Sequence, residues 1–401
     1  MDWPTLWAAL GFSGGYNTAL VTLGATMLGA AAGGAGTFVF LRRRALVSDA
    51  ASHAALPGLG LAFLAMAAAG GDGRWLPGLL IGATLSAALG LALVQAASRA
   101  TRLGEDAAIG AVLSSFYGFG VVLLTLAQAS PGGRAAGLGG FLLGATAGML
   151  ASEAMLIAAM GAVAALAVAA LRRPMTMVCF DPGHAASVGV PVARVDLAIM
   201  ALALGVTVIG MKVAGLILIV ALLIIPPVAA RFWTERVDVT LALAALFGGL
   251  SGWVGAALSA ALTGAPTGPL ITLTAFAIFL GSMLLAPARG ALAGAVARAR
   301  LAARVHRRQG LLALARGETI HDRFTLRVLR RAGLISPDAA PTLAGRAAAA
   351  AALRDEARLA LARADAPAAP GLDGLTPIAE ALTPDQIAAL DARLSGLRAA
   401  T

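Results

Sequence analysis

Residues 213–230 read Val-Ala-Gly-Leu-Ile-Leu-Ile-Val-Ala-Leu-Leu-Ile-Ile-Pro-Pro-Val-Ala-Ala, a run without a single charged side chain. A helix needs about 20 apolar residues to cross the hydrocarbon core of a bilayer. Further apolar runs follow one another between Gly15 and Ala286, and only 12% of the 401 residues are charged. Soluble domains carry about 25% charged residues. The sequence therefore predicts an all-α, polytopic membrane protein.

The distribution of the apolar runs predicts about nine membrane-spanning helices. Glycines are frequent within them, and small residues let helices approach closely in lipid. The segment 139–150 is apolar but too short to span, so we expect a re-entrant or interfacial piece, or an extension of the following helix. The nine predicted spans cover residues 16–41, 52–70, 76–97, 107–128, 151–171, 195–210, 213–229, 238–262 and 269–287.

Basic residues alternate between the loops and predict the orientation. The loops after the first, third, fifth and seventh spans contain Arg42, Arg43, Arg44, Arg99, Arg102, Arg172, Arg173, Arg194, Arg231 and Arg236. The opposite loops contain only Arg74, Arg134 and Lys212. The positive-inside rule then places the N-terminus outside and the C-terminus in the cytoplasm. The cytoplasmic arginines also account for the net charge of +10, so this charge does not indicate binding to nucleic acid. The Ala-, Gly- and Arg-rich composition is typical of a bacterial protein, which predicts the inner membrane.

The composition changes after about residue 288. We therefore predict a transmembrane domain over 1–288 and a cytoplasmic extension over 289–401. The extension has mixed charge, and an Ala-, Pro- and Gly-rich linker is predicted over 366–374. Its predicted helices are Gly310–Arg316, Thr319–Ala332, Leu343–Ala364 and Pro384–Arg398.

Asp49 and His53 are the first candidate chemical pair. They are four residues apart, so on a helix they share one face. Carboxylate oxygen and imidazole nitrogen together suit Mn²⁺, Fe²⁺ or Zn²⁺, and ionisable groups within a span are functional candidates. The alternative is that Ser48 caps the helix, Asp49 favours the dipole of its first turn and His53 lies at the interface. Pro57, one turn later, is a candidate hinge.

A second segment, residues 179–191, is predicted to form a cytoplasmic loop with a short helix. Asp181 followed by Pro182 is typical of an N-cap and first helical position, and Gly189 ends the helix. A short cytoplasmic helix is suited to docking a motor subunit, although an ordinary amphipathic loop helix has the same pattern. His184 within it is either a ligand or a solvated side chain.

Four further residues are candidate hinges or gates. Pro226 and Pro227 lie near the cytoplasmic end of a predicted span and are expected to break its helix. The turn-rich segment 263–269 ends in Gly268 and Pro269 and is predicted to form an outer loop. For each of them a purely structural kink or turn is the alternative.

Enzymatic chemistry is not predicted. There is no Walker-type Gly-x4-Gly-Lys-Ser/Thr and no His-Glu-x2-His motif. Residues 11–15 match Gly-x-Ser-x-Gly by letter but lack the strand-to-helix setting of a nucleophile elbow. Cys179 is the only cysteine, which excludes an intramolecular disulfide and a thiolate cluster. No permanently bound cofactor is expected.

Five segments in order resemble the metal-ion permeases of ATP-binding-cassette (ABC) importers, which move manganese, zinc or iron. The resemblance covers about residues 16–288. Its segments are Arg42-Arg-Arg with Ser48-Asp-Ala-Ala-Ser-His-Ala-Ala-Leu-Pro-Gly58, Glu105-Asp-Ala-Ala-Ile-Gly110, Phe180-Asp-Pro182, Val213-Ala-Gly-Leu-Ile-Leu-Ile-Val-Ala-Leu-Leu-Ile-Ile-Pro226 and Pro266-Thr-Gly-Pro-Leu-Ile271.

The resemblance implies a homodimer in the lipid bilayer, two ABC ATPase subunits on the cytoplasmic side and an extracytoplasmic metal-binding receptor. It places Asp49 and His53 on the path of the transported ion. It also implies that Phe180, Asp181 and His184 face the ATPase. Related sequences often have Gly directly before the Asp, whereas this chain has Ser48, which leaves the local backbone geometry open.

Residues 305–365 are similar to the winged helix-turn-helix domain of metal-responsive repressors. The similarity lies in Leu326-Arg-Val-Leu-Arg-Arg-Ala-Gly-Leu-Ile-Ser336 and Pro341-Thr-Leu-Ala-Gly-Arg346. Some manganese and iron permeases carry such an extension, so the resemblance favours Mn²⁺ or Fe²⁺ over Zn²⁺. Binding to nucleic acid is not expected of a membrane-anchored chain, and a regulatory or docking role is the simpler expectation.

The predicted mechanism is alternating access driven by a separate ATPase. Three alternatives remain open at the level of sequence. A permease for a metal chelate or vitamin would need a wide cavity, and Asp49 would then matter little. A stand-alone channel or carrier would transport without an ATPase. A membrane-tethered transcription regulator would depend on residues 300–401.

Overall fold

The computed structural model describes residues 2–71, 73, 75–129, 149–262, 265–365, 372 and 374–399. In these ranges the chain is all-α, as predicted, and its strand-like pairing is one isolated antiparallel bridge between Ile335 and Pro341. The helices are α1 Trp3–Leu10, α2 Tyr16–Leu41, α3 Ala45–Ala68, α4 Leu76–Ala100, α5 Glu105–Ala129, α6 Ala151–Phe180, α7 Pro182–Ser187, α8 Val192–Ala214, α9 Leu216–Arg231, α10 Val237–Ala261, α11 Thr267–Leu285, α12 Ala291–Arg316, α13 Arg323–Arg331, α14 Leu343–Asp365, α15 Ile378–Ala381 and α16 Pro384–Ala399.

Eight of the described helices are long and apolar enough to cross a membrane, namely α2, α3, α4, α5, α6, α8, α10 and α11. The multi-pass membrane architecture is therefore confirmed. The seventh predicted span corresponds to α9, whose 16 residues extend over about 24 Å, less than the thickness of a bilayer core. Leu218, Ile219, Leu222 and Leu223 of α9 are almost fully buried. α9 is therefore shorter than a full span and largely surrounded by protein. The count of nine spans stays a prediction.

Two helix boundaries differ from the prediction and affect the candidate site. The second span was predicted to start at residue 52, but α3 begins at Ala45, so Asp49 and His53 lie inside the helix. The fifth span was predicted to end at residue 171, but α6 continues through Pro174 to Phe180. The connection to α8 is therefore shorter than the loop that the sequence predicts. Of the segment 139–150, only Met149 and Leu150 are within the described residues.

The chain divides into two compact units, Met1–Ala291 and Leu292–Thr401. In the first unit, α2 packs closely against α10 and α9. A Cβ atom added at Gly29 would collide with the carbonyl of Gly248, and one at Gly33 would collide with the carbonyl of Ala244. Glycine is therefore required where these backbones meet, as close helix packing in lipid demands.

The expectation that Pro226 and Pro227 break their helix is wrong, because α9 continues through both prolines to Arg231. A proline removes the hydrogen bond to the carbonyl four residues before it, and for Pro227 this is the carbonyl of Leu223. Gly36 of α2 lies directly against that carbonyl. The neighbouring helix thus packs against the freed oxygen, and the absence of a side chain at Gly36 makes this approach possible.

The second unit contains two small apolar cores. One is formed by Leu311, Leu329, Leu334, Ile335 and Ala349, and the other by Leu359, Ala362, Leu372, Ile378 and Leu390. The helix predicted from Thr319 begins at Arg323, because the Asp322 carboxylate accepts the backbone N–H of Thr325 at 2.7 Å and caps it there.

Candidate functional site

The Asp49–His53 pair lies on one face of α3, within the first half of the helix. The nearest nitrogen of His53, Nε2, is 3.5 Å from Oδ1 of Asp49, and the two side chains are 19% and 34% exposed. Two ligands about 2.1 Å from one ion stand about 3.0 to 3.4 Å apart at octahedral or tetrahedral angles. A small adjustment would therefore let the oxygen and the nitrogen bind the same cation.

The sequence-level alternative for this segment, a cap at Ser48, is wrong. The N-cap residue of α3 is Arg44, and Ser48 is buried within the helix. Asp49 is outside the first helical turn and has no part in capping the helix. Ser52 is fully buried, and its hydroxyl donates to the carbonyl of Asp49 at 2.7 Å. Because Ser48 and Ser52 are buried, Asp49 and His53 are the accessible polar side chains in this part of α3.

Tyr117 of α5 packs against His53, and no sequence pattern indicated this contact. The two rings meet edge to face with centroids 5.1 Å apart. The second ring nitrogen of His53, Nδ1, is buried and has no hydrogen-bond partner among the described residues. A buried polar atom without a partner carries a free-energy cost. The chain contains only two tyrosines, but nothing in the local sequence indicates which helix face Tyr117 occupies.

The backbone around the pair is tightly packed. Pro57 lies inside α3, which continues to Ala68 without a break. The Ser86 hydroxyl of α4 donates to the carbonyl of Ala54 at 2.7 Å. Gly58 and Gly82 also approach so closely that a Cβ on either would collide with the other's carbonyl. Pro57 therefore lies in a continuous, well-packed helix, and its role as a hinge stays a prediction.

Asp49 and His53 would supply only two of the ligands that a metal ion needs. In the part of the chain that the structure describes, no three His, Cys, Asp or Glu side chains come together as a metal site. A divalent transition metal takes four to six ligands. The pair therefore suits an ion that keeps some of its water or takes further ligands from outside this chain, as a transported ion does.

The short helix α7 lies between α6 and α8. The Asp181 carboxylate accepts the backbone N–H of His184 at 2.8 Å, and Pro182 occupies the first helical position. Gly189 follows the helix with φ +86°, a conformation that favours glycine. Phe180 is the last residue of α6, not a loop residue, and it is 59% exposed. The exposed Phe180 and His184 give this end of the unit a mixed apolar and polar surface.

The remaining gate candidates lie at the start of α11. The helix begins at Thr267, so Gly268 and Pro269 belong to its first turn and not to a loop. A proline there costs no helical hydrogen bond. The Ser259 hydroxyl is 2.8 Å from that of Thr267 and 3.0 Å from the carbonyl of Ala265, which joins α10 to this turn. Residues 263 and 264 lie outside the described residues.

Comparisons with known proteins agree on the membrane unit. The family model of the ABC 3 transport family matches residues 16–286. The manganese transport system membrane protein MntC of Bacillus subtilis is 40% identical over 298 residues, 74% of this chain and 67% of the relative. The zinc transport system membrane protein TroC of Treponema pallidum is 40% identical over 277 residues, 69% of this chain and 91% of the relative.

A solved structure supports the same assignment. The structure of PsaBC from Streptococcus pneumoniae in complex with Fab superposes with a TM-score of 0.61 and 28% identity, over 70% of this chain and 95% of that chain. Because the family match runs from α2 to α11 and contains both the Asp49–His53 pair and α7, the chain belongs to the ABC 3 transport family.

Proposed function

We propose that this chain is the membrane subunit of an ABC importer and that its cargo is a divalent transition-metal ion bound in passing by Asp49 and His53. The observation that carries the proposal is the Asp49–His53 pair, 3.5 Å apart on a membrane-spanning helix. Placing ionisable side chains within a membrane-spanning helix costs free energy, and such residues are therefore functional candidates. The ion is cargo, and no permanently bound cofactor is part of the proposal.

Mn²⁺ or Fe²⁺ is the proposed cargo, with Zn²⁺ as the competing ion. One carboxylate and one imidazole form a mixed oxygen and nitrogen set that all three ions accept. MntC and TroC are described as transporting manganese and zinc respectively, so family membership leaves the choice open. The preference for manganese or iron rests on the sequence resemblance expected between residues 305–365 and metal-responsive repressors, together with the Pro266-Thr-Gly-Pro269 segment.

The proposed partners are a second copy of the chain, two ABC ATPase subunits and an extracytoplasmic receptor. The N-terminus would be outside and the C-terminus in the cytoplasm of a bacterial inner membrane, as the arginine distribution favours. The ATPase would bind at α7, where Phe180 and His184 are exposed and Asp181, Pro182 and Gly189 fix the helix ends. ATP hydrolysis would belong to the partner chain.

The mechanism proposed is alternating access. The receptor delivers the ion to the outer side of the dimer, and Asp49 as a carboxylate and His53 as a neutral imidazole replace part of its hydration shell. Pairs from both copies would raise the number of ligands from two to four. Closure of the ATPase subunits on ATP then displaces α7 and turns the pathway toward the cytoplasm.

The second unit is proposed to be a winged-helix-like regulatory or docking module. Its support is the order of α13, a tight turn with the Ile335–Pro341 bridge, and α14. The Thr342 hydroxyl donates to the carbonyl of Gly333 at 2.9 Å and accepts the N–H of Gly345 at 3.0 Å. The turn between the two helices is thereby fixed.

The test is ATP-driven uptake of radiolabelled Mn²⁺ into vesicles that hold this chain, its ATPase and its receptor, with Zn²⁺ and Fe²⁺ as competitors. Asp49→Ala with His53→Ala should abolish uptake while the complex still assembles. Asp238→Ala is the matched control, because it removes a carboxylate at the exposed start of α10 and should leave uptake unchanged.

Other outcomes separate the alternatives. Normal uptake in the double variant would remove Asp49 and His53 from the ion path and favour a chelate or vitamin as cargo. Uptake without the ATPase would identify a channel or carrier. Loss of uptake on deletion of residues 300–401, with the membrane unit intact, would favour a role centred on the extension.

A further inference from the structure

Arg42 lies in the three-residue corner between α2 and α3, and the corner is rigid. The N–H of Arg43 donates to the carbonyl of Phe40 at 2.9 Å, and the N–H of Arg44 donates to that of Val39 at 3.0 Å. This pair of bonds is the Schellman motif that ends helices. Arg43 adopts φ +59° at its centre, a left-handed conformation that is unusual for a residue with a side chain. Movement of Arg42 therefore carries the start of α3 with it.

The guanidinium of Arg42 reaches across to both helices that flank α7. Its Nε and Nη2 donate to the two carboxylate oxygens of Asp196 at 2.9 and 3.0 Å. Its Nη1 donates to the carbonyl of Val178 at 3.0 Å. Val178 lies in the last turn of α6 and Asp196 in the first turns of α8. One side chain thus holds both ends of the segment that carries α7.

The Arg42–Asp196 pair is well sheltered, with each side chain 18% exposed. Arg44 is a second cation near the same carboxylate, with Nη1 3.8 Å from Oδ2 of Asp196. The Cys179 thiol lies 3.8 Å from the carbonyl of Phe38, a further contact between the end of α6 and α2. A bidentate, charge-assisted pair of this kind is a strong interaction, and it also fixes the relative orientation of the two side chains.

The corner lies one to two helical turns from Asp49 along α3. Arg44 is the N-cap of α3, and Asp49 follows within the next two turns. A small cavity borders this corner and the start of α3, and its lining includes Arg42, Arg44, Ser48 and Asp196. Ser48 is the residue before Asp49, so empty space lies next to the backbone that positions the carboxylate. The start of α3 is therefore not packed solidly against α8 on this side.

We propose that Arg42 and Asp196 form a clamp that transmits displacement of α7 to Asp49 and His53. This inference rests on the proposed function, in which α7 contacts the ATPase. Arg42 and Asp196 are positioning residues in this scheme, because they would act through α3 and α7 and not by contact with the ion or the ATPase. The clamp joins the two candidate sites physically, through one rigid corner and one forked ion pair.

The test compares metal ions transported with ATP molecules hydrolysed in the same vesicles, which contain this chain, its ATPase and its receptor, with Mn²⁺ as the probe. Arg42→Gln and Asp196→Asn should lower this ratio by about two- to thirtyfold, while ATP hydrolysis and complex assembly persist. Arg42→Lys keeps the charge but not the fork and should fall between wild type and Arg42→Gln.

Arg172→Gln is the matched control. Arg172 and Asp238 form an ion pair at 3.0 Å between α6 and α10, with side chains 47% and 67% exposed. Removing it should leave the ratio of transported ions to hydrolysed ATP at the wild-type value. A purely structural role for Arg42 would lower uptake and ATP hydrolysis together, because fewer complexes would assemble.

Three outcomes would overturn the proposal: an unchanged ratio in both clamp variants, a parallel loss of uptake and hydrolysis, or failure of both variants to assemble. Failure of the proposed function is a separate result, because wild-type vesicles would then show no ATP-dependent uptake of Mn²⁺. Wild-type uptake with normal clamp variants would overturn only the clamp.

Discussion

Different kinds of contact stabilise the interior of each of the two compact units of this chain. In the membrane unit, α2, α9 and α10 meet through glycines whose missing side chains allow backbone contact, as at Gly33, Gly36 and Gly248. In the C-terminal unit, short leucine-rich cores are surrounded by Arg–Asp pairs, such as Arg358 with Asp391 at 2.5 and 2.7 Å.

The difference follows from the surrounding medium. In lipid there is no hydrophobic driving force that buries apolar side chains in the protein interior. Helices there associate through close packing instead. Leu85, Leu166 and Met155 of the membrane unit accordingly remain more than 60% exposed. In water the hydrophobic effect buries leucines in a core, and charged side chains on the surface are well solvated. Packing faults should therefore damage the membrane unit most, whereas pH and salt should act mainly on the C-terminal unit.

The largest effect is expected from Gly248→Val in α10. Its side chain would collide with the carbonyl of Gly29, and relieving the collision requires α2 and α10 to separate. We expect destabilisation by about 3 kcal/mol or more, with little folded protein recovered from membranes. Size-exclusion chromatography and thermal unfolding in detergent would measure it. Gly281→Ala in α11, where an added Cβ meets no atom within 4 Å, is the control and should unfold like wild type.

A second prediction tests whether the two units are energetically independent. Leu329 is fully buried in the first core of the C-terminal unit, so Leu329→Ala should destabilise that unit by about 2–5 kcal/mol. Hydrogen exchange on the full chain should rise in α13 and α14 and stay unchanged in α2 and α10. Faster exchange in the membrane helices would contradict the independence of the units.

The third prediction concerns pH. The hydrogen bond from Arg358 lowers the pKa of Asp391, and that from Arg393 lowers the pKa of Asp365. Because these carboxylates have a lower pKa when folded than when unfolded, they stabilise the folded unit above about pH 4. This stabilisation should be lost as pH falls through the lowered values.

Thermal unfolding of the C-terminal unit, followed in the full chain between pH 6 and pH 3, would measure the effect. The double variant Asp391→Asn with Asp365→Asn should weaken the dependence on pH. An equally steep dependence in that variant would assign the effect to other carboxylates, among them Asp322, whose pKa is lowered by hydrogen bonds from Thr325.

The smallest effect is expected from an ion pair at the edge of the membrane unit. Arg172 and Asp238 are 47% and 67% exposed, so Arg172→Gln should change stability by less than about 1 kcal/mol. The thermal midpoint in detergent, measured at low and high salt, is the test. A loss as large as that of Gly248→Val would mean that exposed ion pairs, and not the glycine contacts between helices, dominate the stability of the membrane unit.

Much of the fold was predictable because it depends on neighbours in the chain. Apolar runs identified the membrane helices, and Asp181-Pro182 identified the start of α7 within one residue. The spacing of Asp49 and His53 placed both on one face of a helix. The boundaries of α3 and α6 and the continuity of α9 were mispredicted. In α9, packing against α2 overrides the local signal of Pro226 and Pro227.

The sequence by itself determined that this chain crosses a membrane, where its long apolar helices lie, and that Asp49 and His53 share one face of a helix. Tertiary structure alone decided that Tyr117 faces His53, that Gly36 packs against the carbonyl freed by Pro227, and that Arg42 meets Asp196, 154 residues away in the chain. Local signals act over one or two helical turns, whereas these contacts depend on how whole helices pack, which no short stretch of sequence encodes.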